Sequence, residues 1–70
     1  MTAKEKAQAA RALDDARRKV GASRIAEELG IKRQAVYQWV VCPVMRVADV
    51  ARLAGMERSA LRPDVFGEVG

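Results

Sequence analysis

The stretch Gly21-Ala-Ser-Arg-Ile-Ala-Glu-Glu-Leu-Gly-Ile-Lys-Arg-Gln-Ala-Val-Tyr-Gln-Trp39 decides the fold of this chain. Two short segments with helical apolar spacing flank Gly30: Ile25, Ala26 and Leu29 before it, and Val36, Trp39 and Val40 after it. Glycine turns a chain back through the left-handed region without a Cβ clash. Ile31 is placed to plug that turn from the apolar side, and the small Ala26 lets two helices cross closely. The pattern reads as a helix-turn-helix, which makes double-stranded DNA the first partner to consider.

Each half has its own local signals. Ser23 is a suitable N-cap for a helix ending near Leu29. Glu27 and Glu28 then fall in its first turns, where the helix dipole favours acids. The third helix is expected from about Arg33 to Val40, with Val36, Trp39 and Val40 as its buried back. Its other side carries Arg33, Gln34, Tyr37 and Gln38, two i,i+4 pairs on adjacent rows. A major groove about 12 Å wide admits one helix, and within it Arg reads a guanine edge and Gln an adenine edge through paired hydrogen bonds. Arg33, Gln34, Tyr37 and Gln38 are therefore the candidate base contacts. Ser23 and Arg24 at the start of the second helix, with Lys32 before the third, are the candidate phosphate contacts.

On the N-terminal side, Thr2 and Glu5 have capping-box spacing. An Ala-rich run then continues to Val20 with no breaker, and Ala9, Leu13, Ala16 and Val20 form one narrow apolar stripe. Its charged face is expected to be solvated, and Gly21 supplies the stop. On the C-terminal side, Pro43 ends the third helix or opens the next. Val47, Val50, Ala51 and Ala54 define a fourth helix that Gly55 closes. Ser59 is expected to cap a brief turn through Leu61, and Pro63 to stop anything longer. No internal repeat, low-complexity linker or β-alternation stands out.

Seventy residues make one small domain, and chains of that size bury a modest core. Cys42 is the lone cysteine and there is no histidine, so no internal disulfide and no ordinary zinc site is available. Cys42 reads as a small buried hydrophobe. Asp14 and Asp15 are adjacent and diverge around their helix. No nucleophile-base set or phosphate-cradling loop is present, so no enzymatic activity, metal or cofactor is expected. The chain has neither a membrane-spanning run nor a secretory core, which points to the cytoplasm. The net charge is +4, with +3 in residues 1–20, +1 in residues 21–41 and zero in residues 42–70. A basic DNA side and a neutral association side would distribute charge in this way.

With these residues in place, the chain resembles the Cro/repressor class of helix-turn-helix regulators, and within it the YdaS-type group of prophage Cro-like proteins, some regarded as antitoxins. The likeness rests on Leu29-Gly-Ile with Val36 and Trp39, on Pro43-Val-Met-Arg-Val47, and on the segment from Gly55 to Leu61-Arg-Pro-Asp64. Lys32 stands where the group often has a serine cap, and the link Val40-Val-Cys42 is short. The resemblance implies a stand-alone regulator that binds operators as a homodimer. The expectation is thus an all-α domain of four to five helices over residues 1–70, with a helix-turn-helix core at about 22–40. Residues 44–70 are expected to supply the dimer face through Leu61, Val65 and Phe66. The rival expectation is a protein-interaction module, such as an antitoxin that neutralises a toxin, suggested by apolar residues around Val40-Val41, Val44-Met45 and Val65-Phe66.

Overall fold

In the computed structural model, which describes residues 1–67, the first helix, α1 (Ala3–Val20), is the spine on which most of the later helices pack. Its capping box forms: the Thr2 hydroxyl accepts from the Glu5 N–H at 3.1 Å, and the Thr2 N–H donates to the Glu5 carboxylate at 2.8 Å. The expected stripe is buried, with Ala9, Leu13 and Ala16 fully inaccessible and Ala12 beside them. Val20 packs at the edge of the core. Short alanine contacts let the following helices come close to the α1 backbone, which suits a chain with few large apolar side chains.

Five more helices follow: α2 (Ala22–Leu29), α3 (Arg33–Gln38), α4 (Val47–Ala54), α5 (Arg58–Leu61) and α6 (Pro63–Phe66), with a 3-10 turn at Val44–Arg46 leading into α4. The all-α reading holds, and the expected terminal turn is two four-residue helices. Leu13, Ile25, Val36, Cys42, Val47, Val50 and Leu61 meet in one core, each with no exposure. Residues 44–70, expected to hold the association face, are described as far as Gly67; 68–70 lie outside the described residues.

Four local expectations are corrected. Gly21 (φ 94°) closes α1 and caps α2 as well, so α2 begins at Ala22 and Ser23 lies inside its first turn without capping it. With α2 set between Ala22 and Leu29, Glu27 and Glu28 sit in its last turn, at the unfavourable end of the dipole. The third helix stops at Gln38, and Trp39 already has extended backbone. Val40 therefore leaves the helical period and is 62% exposed, off the buried back it was assigned to. The brief turn through Leu61 forms as α5, but Ser59 lies within it and Glu57 holds the N-cap position; Pro63 then opens α6 at its first position, where its missing N–H costs nothing.

The structure also contains a repeat that the residue pattern conceals. The unit α2–turn–α3 recurs as α4–turn–α5. Both begin with an eight-residue helix ended by a left-handed glycine, Gly30 (φ 68°, ψ 33°) and Gly55 (φ 65°, ψ 38°). In both, two hydrogen bonds close the turn: Gly30 N–H to Glu27 and Ile31 N–H to Ala26, then Gly55 N–H to Arg52 and Met56 N–H to Ala51. An extended cap residue follows, Lys32 (φ −78°, ψ 145°) or Glu57 (φ −74°, ψ 145°), and then the next helix starts at an arginine. The buried positions correspond: Ala22 with Val47, Ile25 with Val50, Ala26 with Ala51, and Val36 with Leu61. Few identities survive because the core needs only apolar residues of suitable volume there.

Candidate nucleic-acid interface

The α2–α3 hairpin holds its outer side chains on a fixed base. Val36 is fully buried, while Ala35 and Trp39 are partly covered, so one side of α3 is pinned to the core. Arg33, Gln34, Tyr37 and Gln38 are all exposed on the other side, with Tyr37 63% accessible. All four candidate base contacts thus stand together on one short helix. Ser23, Arg24 and Lys32, the candidate phosphate contacts, are exposed as well. The Arg33 guanidinium donates to the Ser23 hydroxyl at 3.4 Å, so the candidate base contacts and the candidate phosphate contacts adjoin across the hairpin.

A six-residue helix has little stability of its own, since nucleation is unfavourable and few internal bonds offset it. The N-cap of α3, Lys32, makes no side-chain cap, its C-cap Trp39 is extended, and its last bond, Trp39 N–H to the Val36 carbonyl, is long at 3.4 Å. An arginine from α1 supplies what is missing. Arg17 Nη1 donates to the carbonyls of Val36 at 2.8 Å and Trp39 at 3.3 Å, while its Nη2 is held by Asp14 at 3.2 Å. Its side chain is only 17% exposed. Arg17 is not singled out in the sequence, where the charged face of α1 as a whole is expected to be solvated. The available signals were its position next to Ala16 at the border of the apolar stripe and the carboxylate three residues earlier, but its carbonyl partners leave no mark in a sequence.

The other end of the link after α3 is tied in a similar way. Arg62 Nη1 donates to the Cys42 carbonyl at 3.1 Å, and the rest of its guanidinium engages Asp64. Cys42 is fully buried, and burial pushes its thiol up to about 11 against the opposing pull of Arg62. Val40, between these ties, and Val44 (45%) and Met45 (81%), just beyond them, are exposed.

The second hairpin has the same frame with different chemistry. At the places of Arg24 and Lys32 it carries Asp49 and Glu57, and at the places of Tyr37 and Gln38 it carries Arg62 and Pro63. Its Ser59 and Ala60 line an open groove against Lys4, Gln8 and Arg11 of α1, so the outer side of α5 is partly flanked by another helix. Of the two hairpins, α2–α3 is the one that joins the exposed cations Arg24 and Lys32 to an exposed polar helix face.

The dimer-face expectation is corrected in one residue. Leu61 is fully buried in the core of its own chain and is not available to a second copy. Phe66 is partly buried against that core, and Val65 is 48% exposed. Among the described residues no helix is long and apolar enough to cross a membrane, and no group of acidic, Cys or His side chains is gathered as a metal site requires.

No curated protein and no solved structure matches the chain. A family model does: the one described as Bacterial toxin YdaS matches residues 13–70. The match takes in both hairpins and the Leu61-Arg-Pro-Asp64 segment, and leaves out the first part of α1. On that match, which spans most of its length, the chain belongs to the YdaS family.

Proposed function

We propose that this protein is a sequence-specific DNA-binding regulator that sets α3 into the major groove of its operator. The observation that carries the reading is Val36 at zero exposure beneath four exposed hydrogen-bonding side chains, Arg33, Gln34, Tyr37 and Gln38. Arg33 and Gln34 suit purine edges, and Tyr37 suits a phosphate or a thymine methyl. Arg24, Lys32 and Ser23 would hold the flanking backbone, fixing register without reading sequence. The charge reversal at Asp49 and Glu57 argues against the second hairpin taking that role.

The regulator would act as a homodimeric repressor, with two α3 helices in successive grooves about 34–36 Å apart on a palindromic site. Val65 and the exposed edge of Phe66 are the contact points proposed for the second copy. A mobility shift on the DNA upstream of its own gene tests the reading. Retention of that fragment over a scrambled one at moderate salt is expected; equal binding to both would count against it.

A second reading, a protein partner, is favoured by the exposed Val40, Val44 and Met45 and by the family's description as a toxin. Induced expression separates the roles. Growth arrest by the wild-type chain that an Arg33→Ala, Gln38→Ala variant fails to cause would tie toxicity to DNA reading. Arrest by both would separate toxicity from base reading by Arg33 and Gln38. Relief of another protein's toxicity, with co-purification, would mark an antitoxin.

A further inference from the structure

We propose that Arg17 is a positioning residue that sets the last turn of α3, and with it Tyr37 and Gln38, at the angle needed for base reading. The two carbonyls it grips, Val36 and Trp39, lie on either side of the Tyr37 and Gln38 peptides. A cation at a helix C-terminus is favoured by the dipole. The guanidinium spreads its donors over two nitrogens, Nη1 to the two carbonyls and Nη2 to Asp14, where an ammonium has one nitrogen for all three. Asp14, one turn earlier on α1, holds the guanidinium at 3.2 Å and fixes its direction. The grip closes a helix end that has no left-handed cap and whose last backbone bond, Trp39 N–H to the Val36 carbonyl, is long at 3.4 Å, so it supplies order that α3 cannot supply itself. Arg33 and Gln34 sit at the opposite end, where the α2 hairpin and the Gly30 turn hold the chain without Arg17. The functional part of this inference rests on the DNA reading above; the mechanical part does not.

Two measurements on Arg17→Met, Arg17→Lys and Asp14→Asn test it. In the free protein, amide exchange at Tyr37, Gln38 and Trp39 is expected to speed up about tenfold or more in Arg17→Met, while α2 amides stay as in wild type. Arg17→Lys should recover only part of that protection. On DNA, Arg17→Met and Arg17→Lys should lose discrimination at the base pairs that Gln38→Ala also relaxes, and keep it where Arg33→Ala acts. Unchanged exchange at those amides would overturn the clamp, and a uniform affinity loss at every base pair would overturn the positioning role. A wild-type chain that fails to discriminate sequences, while its Arg17→Met variant still exchanges faster, would defeat the DNA reading and leave the clamp standing. If Arg17→Met does not fold, Arg17→Lys and Asp14→Asn carry both comparisons with the same expected signs.

Discussion

The Arg62 guanidinium grips the Asp64 carboxylate at both of its oxygens, Nε to Oδ1 at 3.0 Å and Nη2 to Oδ2 at 2.8 Å, and spends its remaining nitrogen on the Cys42 carbonyl. That geometry explains the Leu61-Arg-Pro-Asp64 segment. Leu61 fills the core, Arg62 ties the tail to the link after α3, Pro63 starts α6, and Asp64 is the acid of its first turn. The segment that most narrows the family resemblance is thus a fastening for the fold.

The fastening has a pH signature. The hydrogen bond from Arg62 holds the Asp64 carboxyl below its ordinary value. A depressed folded-state pKa means the stabilisation is present above the ordinary carboxylate range and fades as pH falls through the lowered value. Thermal melts of the wild type and Asp64→Asn should therefore differ at pH 7 and converge progressively below about pH 4. A constant difference across that range would show that the ion pair is not the cause.

Cys42 predicts the opposite edge. Its folded-state pKa, pushed up to about 11 by burial, lies above the ordinary thiol value. Its contribution is then complete at neutral pH and is lost as pH climbs towards 11, by on the order of 2–3 kcal/mol in all. Urea unfolding at pH 7 and pH 10.5 should show a larger loss for the wild type than for Cys42→Ala. At pH 7 the thiol should alkylate slowly until the protein is unfolded.

The repeated turn offers a paired test. Gly30 and Gly55 share a left-handed backbone, and a Cβ at either would meet no atom within 4 Å. The cost of alanine is then backbone strain alone, about 1–2 kcal/mol at each site. Gly30→Ala and Gly55→Ala should lower the urea midpoint by similar amounts, and Gly30→Asn by less. Strongly unequal losses would break the equivalence of the two hairpins.

Leu61 and Val65 should separate folding from association. Leu61→Ala removes a fully buried side chain and should cost about 2–5 kcal/mol, enough to leave so small a domain largely unfolded. Val65→Ala changes a half-exposed side chain and should stay within about 0.5 kcal/mol. In sedimentation equilibrium, the Val65→Asp variant should remain folded and shift towards monomer.

Periodicity and capping carried much of this architecture, because Thr2, Gly30, Gly55 and the α1 and α4 stripes act through local geometry. All four candidate base contacts proved to share one exposed helix face for the same reason. What escaped depends on neighbours distant in sequence. Ser23 looks like a cap until Gly21 is seen to serve two helices, and Val40 looks buried until α3 is seen to stop at Gln38. Leu61 has no partner in sequence, yet it occupies in the second hairpin the place that Val36 holds in the first. Arg17 and Arg62 bind backbone carbonyls, and no side-chain pattern announces such partners.

Sequence-dependent binding through α3 is best tested by selection from a randomised duplex library, with wild type, Arg33→Ala, Gln38→Ala and Arg24→Ala run in parallel at fixed salt. Wild type should enrich a palindromic motif. Arg33→Ala and Gln38→Ala should each lose about 1–3 kcal/mol and relax different base pairs of it, while Arg24→Ala weakens all sequences alike. Absence of enrichment by the wild type, or relaxation of the same positions by Arg24→Ala as by Gln38→Ala, would contradict a reading helix at Arg33–Gln38.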